Sequence, residues 1–215
     1  MFITFEGPDG SGKTTQIAPL AEFLRQQGFT VLTTREPGGT AISEQVRAIL
    51  HSMDNTAMHP RSETLLYLAA RAQHVEEIIR PALARGEIVL CDRYADSTLA
   101  YQGYGHGNDL QILRQLLHFA TGGLWPDLTV LFDLSAEEGL QRRQAGGGEW
   151  NRLDAYQLAF HQRVCQGYRA LAAEQPQRWV VLNAAQSVEA IQRQLREIII
   201  SRLASAPAAP QERLS

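Results

Sequence analysis

Residues 7–15 read GPDGSGKTT, and this stretch decides the fold. It matches the pattern G-x-x-x-x-G-K-[ST], which forms a phosphate-binding loop when it lies between a strand and a helix. Residues 1–6 before it form a β-branched and aromatic run that predicts a buried strand. Residues 14–27 after it carry apolar side chains at helical spacing and predict a helix that Gly28 ends. The stretch therefore has the local setting that such a loop requires.

The loop predicts a site for a nucleoside triphosphate with Mg²⁺. Its three glycines permit the positive φ angles that turn backbone amides onto a phosphate chain, and the following helix adds its positive end. The Thr14 hydroxyl is placed to bind Mg²⁺. The alternative is a glycine-rich turn that carries a surface lysine. The ATP-binding set predicted here is Gly7, Pro8, Asp9, Gly10, Ser11, Gly12, Lys13, Thr14 and Thr15.

Lys13 is the only lysine of the chain, since the other 19 of its 20 basic residues are arginine. A compact ammonium fits between backbone amides that surround a phosphate pair, whereas a planar guanidinium with five fixed donors clashes or points the wrong way. The choice of lysine at this one position indicates a local steric demand.

The composition excludes several classes of protein. The chain has 215 residues, 44% of them hydrophobic, and a net charge of -3, which argues against binding to nucleic acid or to anionic membranes. No window approaches 18 apolar residues, and the N-terminus lacks the basic region of a signal peptide. Cys91 and Cys165 lack the spacing of metal ligands and are expected to be reduced thiols. We expect a soluble cytoplasmic protein.

Short apolar strands alternate with helical patterns along the chain. Strands are predicted over 1–6, 29–34, 87–91, 128–134 and 179–183. Helices are predicted over 14–27, 43–53, 61–85, 110–121, 136–144, 153–173 and 188–203, with a kink or break at Pro81. This alternation predicts an α/β protein with a five-stranded parallel sheet flanked by helices, the three-layer P-loop NTPase fold. We expect one domain over residues 1–203 and a disordered tail over 204–215.

A second polar motif, Cys91-Asp92-Arg93-Tyr94, directly follows the third predicted strand. An aspartate at the carboxyl end of a strand beside the loop can hold Mg²⁺ through water, and the adjacent arginine can bind a phosphate with two N–H groups. The alternative is a surface Asp–Arg pair that ends the strand. The segment continues with hydroxyl, aromatic and amide side chains, which can contact a sugar and a base edge.

Four segments resemble the thymidylate kinase family. VLCDRYADSTLAYQ, residues 89–102, is similar to the family signature D-R-[YFH]-x-x-S-x-x-A-[YF]-Q. TREPGGT at 34–40 resembles the R-E-P-G-G segment of bacterial members, and LYLAARAQHVEEIIRPAL at 66–83 resembles their nucleoside-binding helix. WPDLT at 125–129 resembles the entry to a family strand. The resemblance runs from residue 1 to about 203.

The resemblance implies transfer of the ATP γ-phosphoryl group to dTMP on the nucleoside monophosphate kinase fold, in a homodimer. At the base, Tyr67 is implied to stack on the pyrimidine and Arg71 to bind a thymine carbonyl. The helical pattern alone would instead favour an ordinary core aromatic and a surface arginine at these two positions. Thr98 and Gln102 are implied to lie near the base edge. Tyr101 is implied to lie against the deoxyribose and to leave little room for a 2′-hydroxyl.

At the phosphate end, the resemblance implies that Arg93 binds the acceptor phosphate and that Arg35 and Glu36 approach it. Asp9 is implied to reach the sugar 3′-hydroxyl or the metal shell. The implied dTMP-binding set is Asp9, Arg35, Glu36, Tyr67, Arg71, Arg93, Ser97, Thr98, Tyr101 and Gln102. The expected metal ligands are Thr14 and, through water, Asp92.

Residues 141–154, QRRQAGGGEWNRLD, have the composition of a lid that closes over ATP. A guanidinium beside the γ-phosphoryl group lowers the barrier to transfer. The phosphate-binding loop over 7–15 contains no arginine that could supply it. The resemblance points to a lid arginine instead: we expect Arg143 and Arg152 at the γ-phosphoryl group and Arg142 on adenine. The alternative is a solvated basic turn. The expected catalytic set is Lys13, Arg93, Asp9, Arg143 and Arg152.

Two other functions stay open from the sequence. One is a different small-molecule P-loop kinase that acts on a deoxynucleoside or another monophosphate. The other is an ATP-sensing module without a small acceptor. A switch GTPase is disfavoured because its guanine motif N/T-K-x-D needs a second lysine. ATP and dTMP are the expected partners, with no nucleic acid and no membrane.

Overall fold

The sheet of the protein is parallel throughout. The computed structural model describes residues 1–146 and 151–205, and within them five strands pair in the order β2-β3-β1-β4-β5. The strands are β1 (Phe2–Glu6), β2 (Val31–Arg35), β3 (Ile88–Asp92), β4 (Leu128–Asp133) and β5 (Trp179–Asn183). The strand that precedes the glycine-rich loop lies at the centre. The predicted five-stranded parallel sheet is confirmed.

Helices connect the strands and cover both faces of the sheet. Within the described residues they are α1 (Lys13–Gln26), α2 (Ala41–His51), α3 (Pro60–His74), α4 (Arg80–Ala84), α5 (Ala95–Thr98), α6 (Leu110–Thr121), α7 (Ala136–Ala145), α8 (Leu158–Glu174) and α9 (Val188–Ser205). Two π-helical segments, Val75–Ile79 and Leu99–Gly105, continue α3 and α5, and a short 3₁₀ turn spans Met53–Asn55. None of these helices is long and apolar enough to cross a membrane.

Strand side chains alternate between two hydrophobic cores. In β1, Phe2 packs in the core that α3, α6 and α8 close, whereas Ile3 and Phe5 pack in the core that α1 and α9 close. The three central strands β1, β3 and β4 are therefore buried on both faces, which explains why they appear in the sequence as continuous apolar runs. Helices on both sides of one sheet form the three predicted layers.

The predicted helix over 61–85 is interrupted, as the proline in it suggested. Regular helix ends at His74, and the π-helical segment Val75–Ile79 precedes α4. Pro81 lacks an N–H group, and its ring clashes with the carbonyl four residues before it, which explains a local widening of the helix there.

Helical structure over 95–105 is not predicted by the sequence pattern. Gly103 and Gly105 lower the helix propensity of this segment, yet the tertiary packing requires them. A Cβ at Gly105 would lie 2.6 Å from the ring of Phe160 in α8, and one at Gly103 would lie 2.5 Å from Leu110. The glycines that weaken the sequence signal are thus the residues that let the neighbouring helices approach.

Helix α8 begins five residues later than the predicted 153. The Asn151 side chain accepts a hydrogen bond from the amide of Leu153, which forms a local turn that delays the helix. Residues 147–150 of the predicted lid and 206–215 of the predicted tail lie outside the described residues.

The register of the parallel strands gathers the motifs at one edge. Phe5 of β1 and Arg35 of β2 both pair with Asp92 of β3. Because the carboxyl ends of parallel strands meet at the same edge of a sheet, the segments that follow these three strands converge there.

Candidate active site

The glycine-rich loop wraps around the Lys13 side chain. Gly7, Gly10 and Gly12 have φ angles of 141°, 77° and 85°, and α1 begins at the lysine itself. Lys13 Nζ donates to the carbonyls of Pro8 at 2.8 Å and Gly7 at 3.1 Å, and to Ser11 Oγ at 3.1 Å.

This lysine is 6% exposed. Burial, and then the charge of Arg93, lower the pKa of its ammonium to about 8. The geometry leaves room for a compact ammonium among three acceptors, as the sequence indicated.

Helix α7 packs directly on the loop at a glycine. A Cβ at Gly139 would lie 2.6 Å from the carbonyl oxygen of Asp9, closer than real Cβ atoms approach. The helix that leads into the predicted lid is therefore seated against the phosphate-binding loop, and only a glycine permits this distance.

Thr14 and Asp92 are in direct contact at the mouth of the loop. Thr14 Oγ1 donates to Asp92 Oδ2 at 2.6 Å, which joins the start of α1 to the end of β3. Within the described residues, no group of three or more His, Cys, Asp and Glu side chains is arranged as a metal cage. A hydroxyl and one carboxylate fit Mg²⁺, which takes few protein ligands and completes its shell with water and phosphate oxygens.

Arg93 is the central cation of the site. Its φ of 69° is left-handed, a conformation that costs a non-glycine residue of order 1–3 kcal/mol and is often kept at functional sites. Its guanidinium donates to Asp9 Oδ1 at 2.7 Å, the Gly7 carbonyl at 2.9 Å, the Tyr168 hydroxyl at 3.0 Å and the Tyr101 hydroxyl at 3.1 Å.

Asp9 is ionised by its surroundings. Burial works to raise the pKa of this carboxyl, but the charges of Arg93 and Lys13 and a hydrogen bond from Tyr101 hold it well below its usual range. The carboxylate therefore binds the arginine and the tyrosine and can accept a further hydrogen bond.

Glu6 lies behind Arg93 and was not among the predicted site residues. Its carboxylate accepts from the Tyr94 amide at 2.8 Å, the Ser97 hydroxyl at 2.5 Å and the Tyr168 hydroxyl at 2.9 Å. Burial, and then the charge of Asp96, raise its pKa to about 7. An acid at the end of an apolar strand was the signal that could have revealed it.

Arg71 is buried rather than exposed, so the alternative interpretation of a surface arginine is wrong. It is 2% exposed, and its guanidinium donates to Glu36 Oε2 at 2.7 Å, Thr98 Oγ1 at 2.8 Å and the Tyr94 carbonyl at 2.9 Å. The other oxygen of Glu36 contacts His74 at 2.9 Å. Glu36 thus holds the arginine instead of reaching freely towards a phosphate.

Arg35 was predicted to approach the acceptor phosphate, but in the structure it forms an ion pair with a glutamate. Its guanidinium contacts Glu44 of α2 at 2.9 Å and donates to the Pro37 carbonyl. It still faces the same cavity as Arg93.

A cavity of about 550 Å³ joins the loop to the segments that are predicted to bind the base. The predicted residues that line it are Asp9, Gly10, Gly12, Lys13, Thr14, Thr15, Arg35, Glu36, Tyr67, Arg71, Asp92, Arg93, Ser97, Thr98, Tyr101, Gln102, Arg142 and Arg143. Gly7, Pro8 and Ser11 lie behind the loop surface, where they accept from Lys13. The structure therefore brings nearly all predicted residues to one cavity.

The lid arginines divide into two groups. Arg142 and Arg143 line the cavity, the first bonded to the Ala184 carbonyl and the second to Asp154. Arg152 is 3% exposed and is bound by Glu63 at 2.5 Å. The expectation that Arg152 contacts the γ-phosphoryl group does not fit this structure, because Arg152 is buried and is not among the residues that line the cavity.

Two residues of α2 also line the cavity and were missed by sequence reasoning. They are Arg47 and His51, one helical turn apart. Burial, and then the charge of Arg47, lower the pKa of His51 to about 4, so the imidazole is neutral at physiological pH. Their spacing of four residues on a helix is the only sequence signal they carry.

Comparison with known proteins identifies the family. A family model described as thymidylate kinase matches residues 5–195. The chain belongs to the thymidylate kinase family. The thymidylate kinase of Roseiflexus castenholzii is 54% identical over 96% of both chains, and that of Exiguobacterium sp. is 50% identical over 94% of this chain and 95% of its own.

The solved structures agree with this family. The crystal structure of thymidylate kinase from Ehrlichia chaffeensis aligns with a TM-score of 0.76 and 35% identity, over 93% of this chain and 98% of its own. Membership of the thymidylate kinase family confirms the predicted fold class and the predicted class of enzyme, a phosphotransferase that acts on dTMP.

Proposed function

We propose that this chain transfers the γ-phosphoryl group of Mg²⁺–ATP to dTMP within the cavity described above. The observation that carries the proposal is that Lys13, Tyr67 and Arg71 line one and the same cavity, whose part lined by Tyr67 and Arg71 is called the base end below. Two nucleotides placed end to end bring their phosphates together between the loop and Arg93.

The reaction needs alignment and charge compensation more than proton transfer. The acceptor is already a phosphate oxyanion, so no general base is required, and the protein has to hold two anions that repel each other. Lys13 and the loop amides bind the donor phosphates. Arg93 binds the acceptor phosphate, and Asp9 and Tyr101 hold its guanidinium in place.

Thr14 and Asp92 are the residues that would hold Mg²⁺, the threonine directly and the aspartate through water. The ion would neutralise charge on the donor phosphates. Their hydrogen bond in this structure supports a shared ligand position, because both oxygens already lie on the same side of the loop.

The base end of the cavity supports a pyrimidine acceptor. Three hydrogen bonds hold Arg71 rigidly, and a guanidinium carries two further N–H groups that can bind a carbonyl. Tyr67 supplies a ring for stacking. Tyr101, fixed by Asp9 and Arg93, would fill the space that a ribose 2′-hydroxyl needs.

For the lid we assign Arg143 to the γ-phosphoryl group and Arg152 to anchoring the segment. The Arg143 side chain lines the cavity beside the loop, whereas Arg152 joins residues 151–154 to α3 through Glu63. Arg142 stays the candidate for contact with adenine.

A homodimer and a cytoplasmic location belong to the same proposal, together with action as one domain over residues 1–203. Helix α2 packs on α3 and α3 on α6, and this side of the protein exposes large apolar side chains. They are Ile42, Ile49, Leu65, Ile112 and Phe119. The two buried free thiols fit a reducing compartment.

A substrate panel tests the proposal. Phosphate transfer from ATP is measured with dTMP, dUMP, dCMP and AMP as acceptors, with and without Mg²⁺. We expect dTMP to give the highest kcat/KM and Mg²⁺ to be required. Preference for another monophosphate or for a nucleoside would overturn the assignment, and ATP hydrolysis that no acceptor changes would indicate a sensing module instead.

A further inference from the structure

One buried carboxylate receives hydrogen bonds from both the base end of the cavity and the lid. Glu63 of α3 is fully buried, and its Oε1 accepts from Gln102 Nε2 at 2.8 Å and contacts His106 Nε2 at 3.1 Å. Its Oε2 accepts from Arg152 at 2.5 Å and from the Tyr156 hydroxyl at 3.1 Å. Glu63 is not among the residues that line the cavity, whereas Gln102 is.

The charge state of Glu63 fixes which end of Gln102 it can bind. Burial alone would raise the pKa of this carboxyl, but hydrogen bonds from His106 and Gln102 and the charge of Arg152 lower it to about 2. An ionised carboxylate only accepts hydrogen bonds, so the glutamine must turn its NH₂ group towards it. A glutamine without such a partner can present either its oxygen or its nitrogen.

The carbonyl oxygen of Gln102 is consequently the end left for a ligand. Within the described residues this oxygen receives no hydrogen bond. It is also not one of the fully buried side-chain polar atoms that lack a hydrogen-bond partner, which are Gln16 Oε1, His161 Nε2 and Trp179 Nε1. The residue lines the cavity together with Thr98 and Arg71. A hydrogen-bond acceptor is therefore held at the base end.

We propose that Glu63 is a specificity-determining positioning residue, which orients Gln102 as an acceptor for a pyrimidine that carries a proton on N3. Thymine and uracil have an N3–H donor, whereas N3 of cytosine is an acceptor and would face the Gln102 oxygen unpaired. The inference rests on the proposed function, since it concerns the base of the same acceptor nucleotide. According to this proposal, discrimination against dCMP depends on the Glu63 carboxylate, although Glu63 does not line the cavity.

The inference also explains why the carboxylate is so heavily bound. A buried charge is costly unless it is paired and fully hydrogen-bonded. Arg152 and His106 supply that compensation, and the Gln102 amide fills the remaining acceptor position. Glu63 thus holds Arg152, which attaches the lid segment, and also orients Gln102 at the base end of the cavity.

The test compares two substitutions and their combination. Glu63→Gln can donate to the Gln102 oxygen and so allow that side chain to turn, while Gln102→Met removes the amide at similar volume. Values of kcat/KM are measured for dTMP, dUMP and dCMP. Because Glu63→Gln leaves Arg152 unpaired, the charge-balanced variant Glu63→Gln with Arg152→Met is measured alongside it.

We expect each Glu63 variant to lower the dTMP to dCMP ratio of kcat/KM by about tenfold or more, with dUMP following dTMP. In the Gln102→Met background, the Glu63 substitutions should change this ratio by less than about twofold, since they act through the missing amide.

Three outcomes would overturn the inference. The first is a folded Glu63 variant with an unchanged ratio, which would make the residue structural only. The second is an equal fall of the ratio in the Gln102→Met background. The third is an unchanged ratio in Gln102→Met itself, which is decisive even if the Glu63 variants do not fold. Failure of the wild-type chain to use dTMP would instead refute the proposed function.

Discussion

Lys13 shows how a single residue type is chosen by its surroundings. The ammonium is enclosed by the Gly7 and Pro8 carbonyls and the Ser11 hydroxyl, within 3.1 Å of each. Its pKa is lowered by burial and then by the charge of Arg93. In the proposed reaction, a triphosphate beside Lys13 would add compensating negative charge.

We expect Lys13→Arg to lose as much activity as Lys13→Met, although arginine keeps the charge. Turnover should fall by about hundredfold or more, because the planar guanidinium does not fit among the three acceptors, while the KM for dTMP should change only a few-fold. Steady-state kinetics at saturating ATP, with circular dichroism to verify folding, provide the measurement. An arginine variant that keeps most of its turnover would refute the steric argument.

Glu6 predicts a pH dependence of stability. Its folded pKa of about 7 lies above the ordinary glutamate value of 4.5, so the folded state retains the proton to higher pH than the unfolded state. The contribution of this group to the free energy of unfolding is fully present below pH 4.5 and is lost as the pH rises through about 7.

The variant Glu6→Gln should not show this decrease in the free energy of unfolding with rising pH. The free energy of unfolding of the wild type, relative to the variant, should decrease by about 3 kcal/mol between pH 4.5 and pH 8. Urea denaturation of both proteins across this range gives the comparison. A difference that does not vary with pH would show that Glu6 is ionised throughout.

At the scale of elements, the lid is held by two different arginines. Helix α7 rests on the phosphate-binding loop through Gly139 and carries Arg143 to the cavity. The other end of the lid is fastened by Arg152, which donates to Glu63 and to the Leu50 carbonyl. We propose that the Arg143 end contributes to phosphoryl transfer and that the Arg152 end attaches the segment to α3.

Arg143→Gln should lower kcat by about hundredfold or more, because it removes positive charge at the proposed γ-phosphoryl site. Some thermal stability should be lost as well, because the variant removes the cation that pairs with buried Asp154. Arg169→Gln is the matched control, since that exposed arginine of α8 pairs with Asp133 outside the cavity. Rate measurements under saturating substrates and thermal melts separate the two effects. Equal losses of activity in both variants would contradict the assignment of Arg143.

At the scale of the whole molecule, α2, α3 and α6 carry large apolar side chains that are exposed. Phe119 is 86% exposed, and Ile112 lies seven residues before it on the same face of α6. An exposed cluster of large apolar residues is typical of a protein–protein interface. A second copy of the chain is the partner that the proposed homodimer supplies.

Phe119→Glu combined with Ile112→Glu should convert the proposed dimer to a monomer, because two charges would be buried without partners in the interface. Sedimentation equilibrium measures the change. Val181→Glu, at a residue of β5 that is 52% exposed, is the control and should stay dimeric. A wild-type monomer, or a double variant that stays dimeric, would refute this surface as the interface.

The sequence-based predictions were most accurate for features that depend on residues close together in the chain. The loop over 7–15, the five strands and the residues Asp92 and Arg93 could be located because each follows from a short pattern. The positions of Tyr67, Arg71 and Gln102 came from the family resemblance. The helical pattern by itself would have allowed Arg71 to be an ordinary surface arginine.

Other residues could not be located because their environment comes from distant parts of the chain. Glu6 is surrounded by Tyr94, Ser97 and Tyr168, up to 162 positions away, and Glu63 is bound by Arg152, 89 positions away. The helix over 95–105 was missed since its glycines signal flexibility locally, whereas packing against α6 and α8 requires them.

By itself, the sequence determined a parallel α/β sheet with a phosphate-binding loop, because strand periodicity and glycine geometry depend on neighbouring residues only. The tertiary structure alone decided which charges are paired and which arginines line the cavity. Arg143 and Arg152 lie in the same basic segment, but Arg143 lines the cavity and pairs with Asp154, whereas Arg152 is buried against Glu63. Such pairing depends on long-range packing and on the dielectric environment that packing creates.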